Sequence, residues 1–77
     1  MMPLSFADVG AVVAIKKIGG LDETRRFLNN LGFVEGSRVS VISKTSGNVI
    51  VNVKESRVAL GKQTANKIIV DEENMRE

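Results

Sequence analysis

Arg25-Arg26-Phe27-Leu28-Asn29-Asn30-Leu31-Gly32-Phe33-Val34-Glu35-Gly36-Ser37-Arg38-Val39-Ser40-Val41 contains a change of hydrophobic period that decides the fold. Up to Leu31 the period is helical. Thr24, Phe27, Leu28 and Leu31 fall at i, i+3, i+4 and i+7 and form one apolar stripe, which predicts a helix over 23–31. Asp22 suits the N-cap, and Glu23 puts a negative charge in the first turn, where the helix dipole favours it. Asp22 and Arg26 stand four residues apart, within reach of each other on a helix. Gly32 follows the last apolar position and can take the positive φ of a helix C′ residue, with Phe33 folding back onto the helix. Val34-Glu35-Gly36-Ser37 then reads as a type II turn, with Gly36 where positive φ is needed. After it the period becomes two. Val39 and Val41 face one way and Ser40 and Ile42 the other, which predicts a strand over 38–44.

The same alternation continues on both sides. Thr45-Ser46-Gly47-Asn48 is a hairpin loop, and Val49, Val51 and Val53 alternate with Ile50 and Asn52 along a second strand. Glu55-Ser56 turns the chain into a short strand, Arg57–Leu60. Residues 61–67 read as a turn or one helical turn that tucks Ala65 inward, and Ile68-Ile69-Val70 closes the fold. Upstream, Gly10 opens a strand over 11–18, apolar on both faces and too short for a helix. About five short strands with brief connections pair mostly antiparallel, and a small SH3-like barrel encloses one core without exposed edges. The expected domain is 1–70, with Leu4, Val13, Ile15, Leu28, Val41, Val51 and Leu60 in the core. Residues 71–77 are expected to form a disordered acidic tail.

Composition narrows the chemistry. The 77 residues include neither Cys nor His, which removes disulfides, thiol nucleophiles, the commonest metal ligand and the commonest general base. The nine Asp and Glu residues fall mostly at turns, caps and the tail, where they read as caps and solvated charges. Gly19-Gly20 and Gly32 lack the Lys-Ser/Thr of a phosphate loop. The sequence therefore argues for a binding domain and not an enzyme. Residues 1–8 contain no basic, apolar leader pattern, and the longest apolar run, Ala11–Ile15, is far below the roughly 20 residues a membrane span requires. A cytoplasmic protein without direct membrane insertion is expected.

Net charge is +2, unevenly spread: residues 71–77 hold four acids and one base, which leaves the rest at +5. That balance keeps a nucleic-acid-binding barrel open as an alternative. Against it, the aromatics are only Phe6, Phe27 and Phe33; the last two read as core, and the Lys16-Lys17 and Arg25-Arg26 pairs have no aromatic interleaving. Without Tyr or Trp, the aromatic groove that grips proline-rich peptides is missing.

Taken together, the quoted stretch, the opening Asp8-Val9-Gly10, Val58-Ala59-Leu60 and the closing Ala65…Ile68-Ile69-Val70 resemble the FeoA family of bacterial ferrous iron transport. Phe33 stands where Leu or Met is usual in that family, and Glu35 where Pro is usual. The resemblance implies a cytosolic adaptor that binds and regulates the membrane transporter FeoB near its GTP-binding domain. It also implies transition-metal binding. Here, with no resident cofactor and no assignable metal ligands, that would be weak binding of Fe²⁺ or another divalent ion, for which the carboxylates of Asp71-Glu72-Glu73 are the one cluster. Self-association stays open. The expected contact surface is the polar helix face, Arg25, Arg26 and Asn29, which points away from Phe27, Leu28 and Leu31 at 100° per residue.

Overall fold

Alternating valines build the middle of the sheet. The computed structural model describes residues 1–72. Its strands are β1 (Met2–Pro3), β2 (Val12–Ile18), β3 (Arg38–Lys44), β4 (Asn48–Val53), β5 (Ser56–Gly61) and β6 (Ile68–Glu72), with helices α1 (Asp22–Leu31) and α2 (Lys62–Ala65). A 3₁₀ turn spans Leu4–Phe6. All strand pairs are antiparallel, in the order β1-β6-β2-β3-β4-β5. Val39 and Val41 of β3, and Val49, Val51 and Val53 of β4, are buried with Val13 and Ile15 of β2. All seven residues expected in the core from the sequence are buried.

Two bulges reconcile strict alternation with the actual residues. Ile15 and Ile18 are three apart, so a regular strand would put them on opposite faces. The register with β6 shifts between Ile15 and Lys17, and both isoleucines are buried while Lys16 and Lys17 are exposed. A second shift, between Val41 and Ser43, leaves Ile42 without a ladder partner and sets Ser43 opposite Ile50. Such bulges bend strands and increase twist, and here they help curl one sheet around its core. The sheet keeps two edge strands, β1 and β5. Between those edges lie the 3₁₀ turn and α2, which contribute the buried Leu4 and Ala65 and are joined by a hydrogen bond from the Ser5 hydroxyl to the Asn66 side chain.

Four expectations are corrected. There are six strands where about five were expected: Met2 and Pro3 pair with Val70 and Ile69, a two-residue strand created by its neighbour and not by its own pattern. The acidic tail does not begin at Asp71, because Asp71 and Glu72 continue β6 opposite Ala14 and Val13; the rest of that expected tail, 73–77, lies outside the described residues. The helix starts one residue early. Leu21 is its N-cap with no side-chain cap, and Asp22 sits inside the first turn bonded to Arg25, not Arg26. Finally, Phe27 is 58% exposed, because only the narrow line through Leu28 touches the sheet, flanked by half-buried Thr24 and Leu31. Burying Leu28 contributes about 1.5–3 kcal/mol.

The expected helix stop is as read. Gly32 adopts φ 107° and its N–H donates to the carbonyls of Asn29 and Leu28. Phe33 donates to the Leu28 carbonyl at 2.9 Å and is fully buried. A Cβ on Gly32 would lie 3.2 Å from Val53 Cγ2 and 3.4 Å from Lys54 Cδ. Gly32→Ala is therefore expected to cost about 1–3 kcal/mol in urea unfolding. Gly47→Ala, which meets open space, should stay within about 0.5 kcal/mol. The β4–β5 loop is the converse case. Lys54 and Glu55 carry φ 49° and 67°, as a type I′ turn demands, although neither is Gly, Asn or Asp. Glu55→Gly should raise stability by about 1 kcal/mol, read as a higher urea midpoint at constant slope.

Candidate functional site

A cleft of about 500 Å³ opens along one side of α1, lined by Ile18, Asp22, Arg25, Arg26, Asn29, Val34 and Glu35. The four helix residues span an arc of about 100° at 100° per residue, facing away from the line that buries Leu28. Ile18, at the end of β2, supplies a buried apolar floor, and half-buried Val34 adds to it. The opposing wall is the Val34–Ser37 turn. Ser37 donates to the Val34 carbonyl at 3.0 Å, and Gly36, at φ 91°, donates to the Ile15 carbonyl at 2.8 Å. The type II turn expected from Gly36 thus pins the wall to β2.

The three expected contact residues, Arg25, Arg26 and Asn29, come together in this cleft, and all are exposed. The formal charges around it are two positive and two negative. Arg25 and Asp22 form an ion pair across one helical turn. Among the described residues, Arg26 and Glu35 make no ion pair. The cleft therefore presents one uncommitted cation, one uncommitted anion and a side-chain amide above an apolar floor. That arrangement suits a charged, partly apolar segment of another macromolecule. Sequence reasoning missed Asp22, which it read as a helix cap, and Ile18, Val34 and Glu35, whose place depends on the turn being hydrogen-bonded back to β2.

Among the described residues no polar or charged side chain is buried, and no three Asp or Glu side chains converge as a metal site would require. Of the acidic cluster expected to hold a divalent ion, Glu73 lies outside the described residues. Asp71 and Glu72 are successive strand residues and point to opposite faces, and Asp71 already faces the Met1 amine at 3.1 Å and Lys16 at 4.0 Å. The aromatics are also rearranged. Phe33 is core, whereas Phe27 and Phe6 are exposed; Phe27 lies 100° around the helix from Arg26, outside the cleft. Among the described residues no helix is long and apolar enough to cross a membrane.

A family model described as the FeoA domain matches residues 2–72, all but the first of the described residues. The chain belongs to the FeoA family. Among its relatives is a Methanocaldococcus jannaschii protein assigned as Fe(2+) transport protein A, 38% identical over 72 residues that cover 94% of this chain and 88% of the relative. A crystal structure described as the iron uptake regulatory protein FeoA superposes with a TM-score of 0.84 at 28% identity, covering 92% of this chain and 95% of the other. The FeoA of Stenotrophomonas maltophilia, solved with zinc and described as a procaryotic SH3 domain protein, gives 0.82 at 28% identity, covering 92% and 91%. A manganese-dependent transcriptional repressor shares the fold at 23% identity and TM-score 0.77 over 38% of its own length. The SH3-like, mostly β fold expected from the sequence is thereby established, and so is a place in ferrous iron transport.

Because the Asp22–Arg25 pair spans one turn of an exposed helix, it adds little to folding. Asp22→Asn should change unfolding free energy by less than about 0.5 kcal/mol while releasing Arg25 into the cleft, which makes it a clean probe of the site's charge.

Proposed function

We propose that this FeoA-family chain is a non-enzymatic, cytoplasmic adaptor that docks through the α1 cleft onto the cytosolic GTP-binding domain of a FeoB-type transporter and regulates Fe²⁺ uptake. The observation that carries this reading is the convergence of Arg25, Arg26 and Asn29 on one cleft of about 500 Å³ in a chain of the ferrous-iron-transport family. Exposed arginines beside an apolar floor are common at the centres of protein interfaces, where a guanidinium can grip a carboxylate while its stem packs. The cleft has no converging carboxylates or buried titratable groups of the kind a catalytic centre uses, so its chemistry favours binding. The protein reaches the inner face of the membrane through its partner and needs no span of its own. Any binding of Fe²⁺ or another divalent ion is weak and incidental to docking.

The test is an NMR titration of the isotope-labelled chain with the GTP-binding domain of the transporter from the same organism. Shifts clustered on Ile18, Arg25, Arg26, Asn29 and Glu35 are expected, and the double variant Arg25→Glu/Arg26→Glu should lose about tenfold or more in affinity. Asp22→Asn should bind at least as tightly as the wild type. Shifts confined to another face, or equal affinity of the double variant, would sink the cleft as the docking surface. Retention on single-stranded nucleic acid that falls steeply with salt would replace the adaptor with a nucleic-acid reading.

A further inference from the structure

The free edge of β5 pairs with nothing in the described fold, and its composition suits a second copy of the same strand. β5 is six residues long, Ser56-Arg57-Val58-Ala59-Leu60-Gly61, and is paired on one side only, with β4. Its phase is set by the two-residue Lys54-Glu55 loop. Val53 and Ser56 close that hairpin as a hydrogen-bonded pair, so Val51–Val58 and Val49–Leu60 are hydrogen-bonded pairs as well. The Lys62 N–H donating to the Gly47 carbonyl at 3.1 Å continues the same phase. The backbone N–H and C=O groups of Arg57 and Ala59 and the N–H of Gly61 therefore point away from β4, while the Gly61 carbonyl, at the N-cap of α2, accepts that helix's first bond. Natural edges are guarded by proline, a bulge, edge or inward charges, short length or a covering helix or loop. β5 contains no proline, its register with β4 is unbroken, its one charged residue, Arg57, is exposed, and the side chains of Val58 and Leu60 fill its inner face.

We infer that β5 is a homodimerisation edge, on which a second copy adds its own β5 antiparallel about a two-fold axis through Ala59. The register follows from which residues can share hydrogen bonds and from where the charges fall. Only residues with outward backbone groups can exchange bonds, so Arg57, Ala59 and Gly61 must oppose one another in some order. Centring on Arg57 sets two guanidinium groups face to face. Centring on Val58 brings Lys54 of each copy opposite Lys62, the first residue of α2, in the other. Centring on Leu60 leaves only about half the strand overlapped. The Ala59 register avoids all three penalties. Arg57 faces Gly61, and Val58 faces Leu60 on the inner side, where half-buried Val58 gains cover. The result is one sheet continuous through both copies, an isologous interface of the commonest kind.

Because the Ala59 side chain is exposed, a lysine or glutamate there is tolerated by the single copy but meets its own symmetry mate in the dimer. Sedimentation velocity of the wild type between about 10 μM and about 1 mM should show a monomer–dimer equilibrium. Ala59→Lys and Ala59→Glu, each alone, should be folded monomers with dimerisation weakened about tenfold or more, and their equimolar mixture should recover a heterodimer. In the wild-type dimer the amides of Arg57, Ala59 and Gly61 should gain protection from hydrogen exchange. A wild type that stays monomeric throughout this range would overturn the proposal. So would charge variants that dimerise like the wild type, or a mixture that fails to recover. The experiment contains no transporter, so its outcome is independent of the docking cleft.

Discussion

Gly32 terminates α1 at φ 107°, and the position of the cleft follows from that one backbone conformation. In the left-handed region the chain reverses within a residue, which drops Phe33 into the core and carries Val34 back toward β2. The space beside Gly32 is already filled by a methyl of Val53 and the stem of Lys54, so helix end and β4–β5 hairpin are locked together by close packing. The turn that follows is tied to Ile15 by two backbone bonds: the Gly36 N–H donates to its carbonyl, and its own N–H donates to the Ser37 carbonyl. Helix, turn and central strand are fixed relative to one another by backbone geometry and apolar contact alone. The polar face of α1 contributes nothing to that frame and is left open to contact another molecule.

This division explains what could be read from the sequence. Positions whose conformation is dictated locally were legible: Gly32 and Gly36 as positive-φ residues, the alternating valines of β3 and β4, Ala65 in its single helical turn, and the family-specific order in which these occur. Positions decided by a neighbour were not. Met2 and Pro3 have no strand pattern of their own and pair only because β6 offers an edge. Asp71 and Glu72 look like the start of a solvated tail, yet the ladder with β2 continues through them. Phe27 belongs to a helical stripe by spacing, but the fold covers only the line through Leu28. The same distinction applies at the site. The polar face of Arg25, Arg26 and Asn29 could be predicted from 100° periodicity, whereas the far wall required knowing that the turn returns to Ile15.

The open order of the sheet is a second consequence of small size. A closed barrel removes its edges, but closure requires every strand to be long enough to meet its neighbour around the ring. Here the two-residue β1 cannot run alongside β5. The 3₁₀ turn and α2 fill the gap with Leu4 and Ala65, which completes the core without completing the hydrogen bonding. Apolar closure and hydrogen-bond closure are separate requirements, and this fold meets the first while leaving β5 with an unpaired ladder.

The docking cleft and the free edge lie on different parts of the sheet. β2, whose end floors the cleft, and β5 are separated by β3 and β4, three strand spacings or roughly 14 Å. A dimer paired through β5 would carry two equivalent clefts in a fixed relation, each on a helix whose end packs against its own β4–β5 hairpin. For a partner displayed in more than one copy on a membrane, simultaneous engagement would raise the effective concentration of the second contact without any new residue at either cleft. A cleft with one uncommitted cation and one uncommitted anion offers modest affinity on its own. The strength of the proposed docking would then be governed as much by how many clefts the domain carries as by what lines each one.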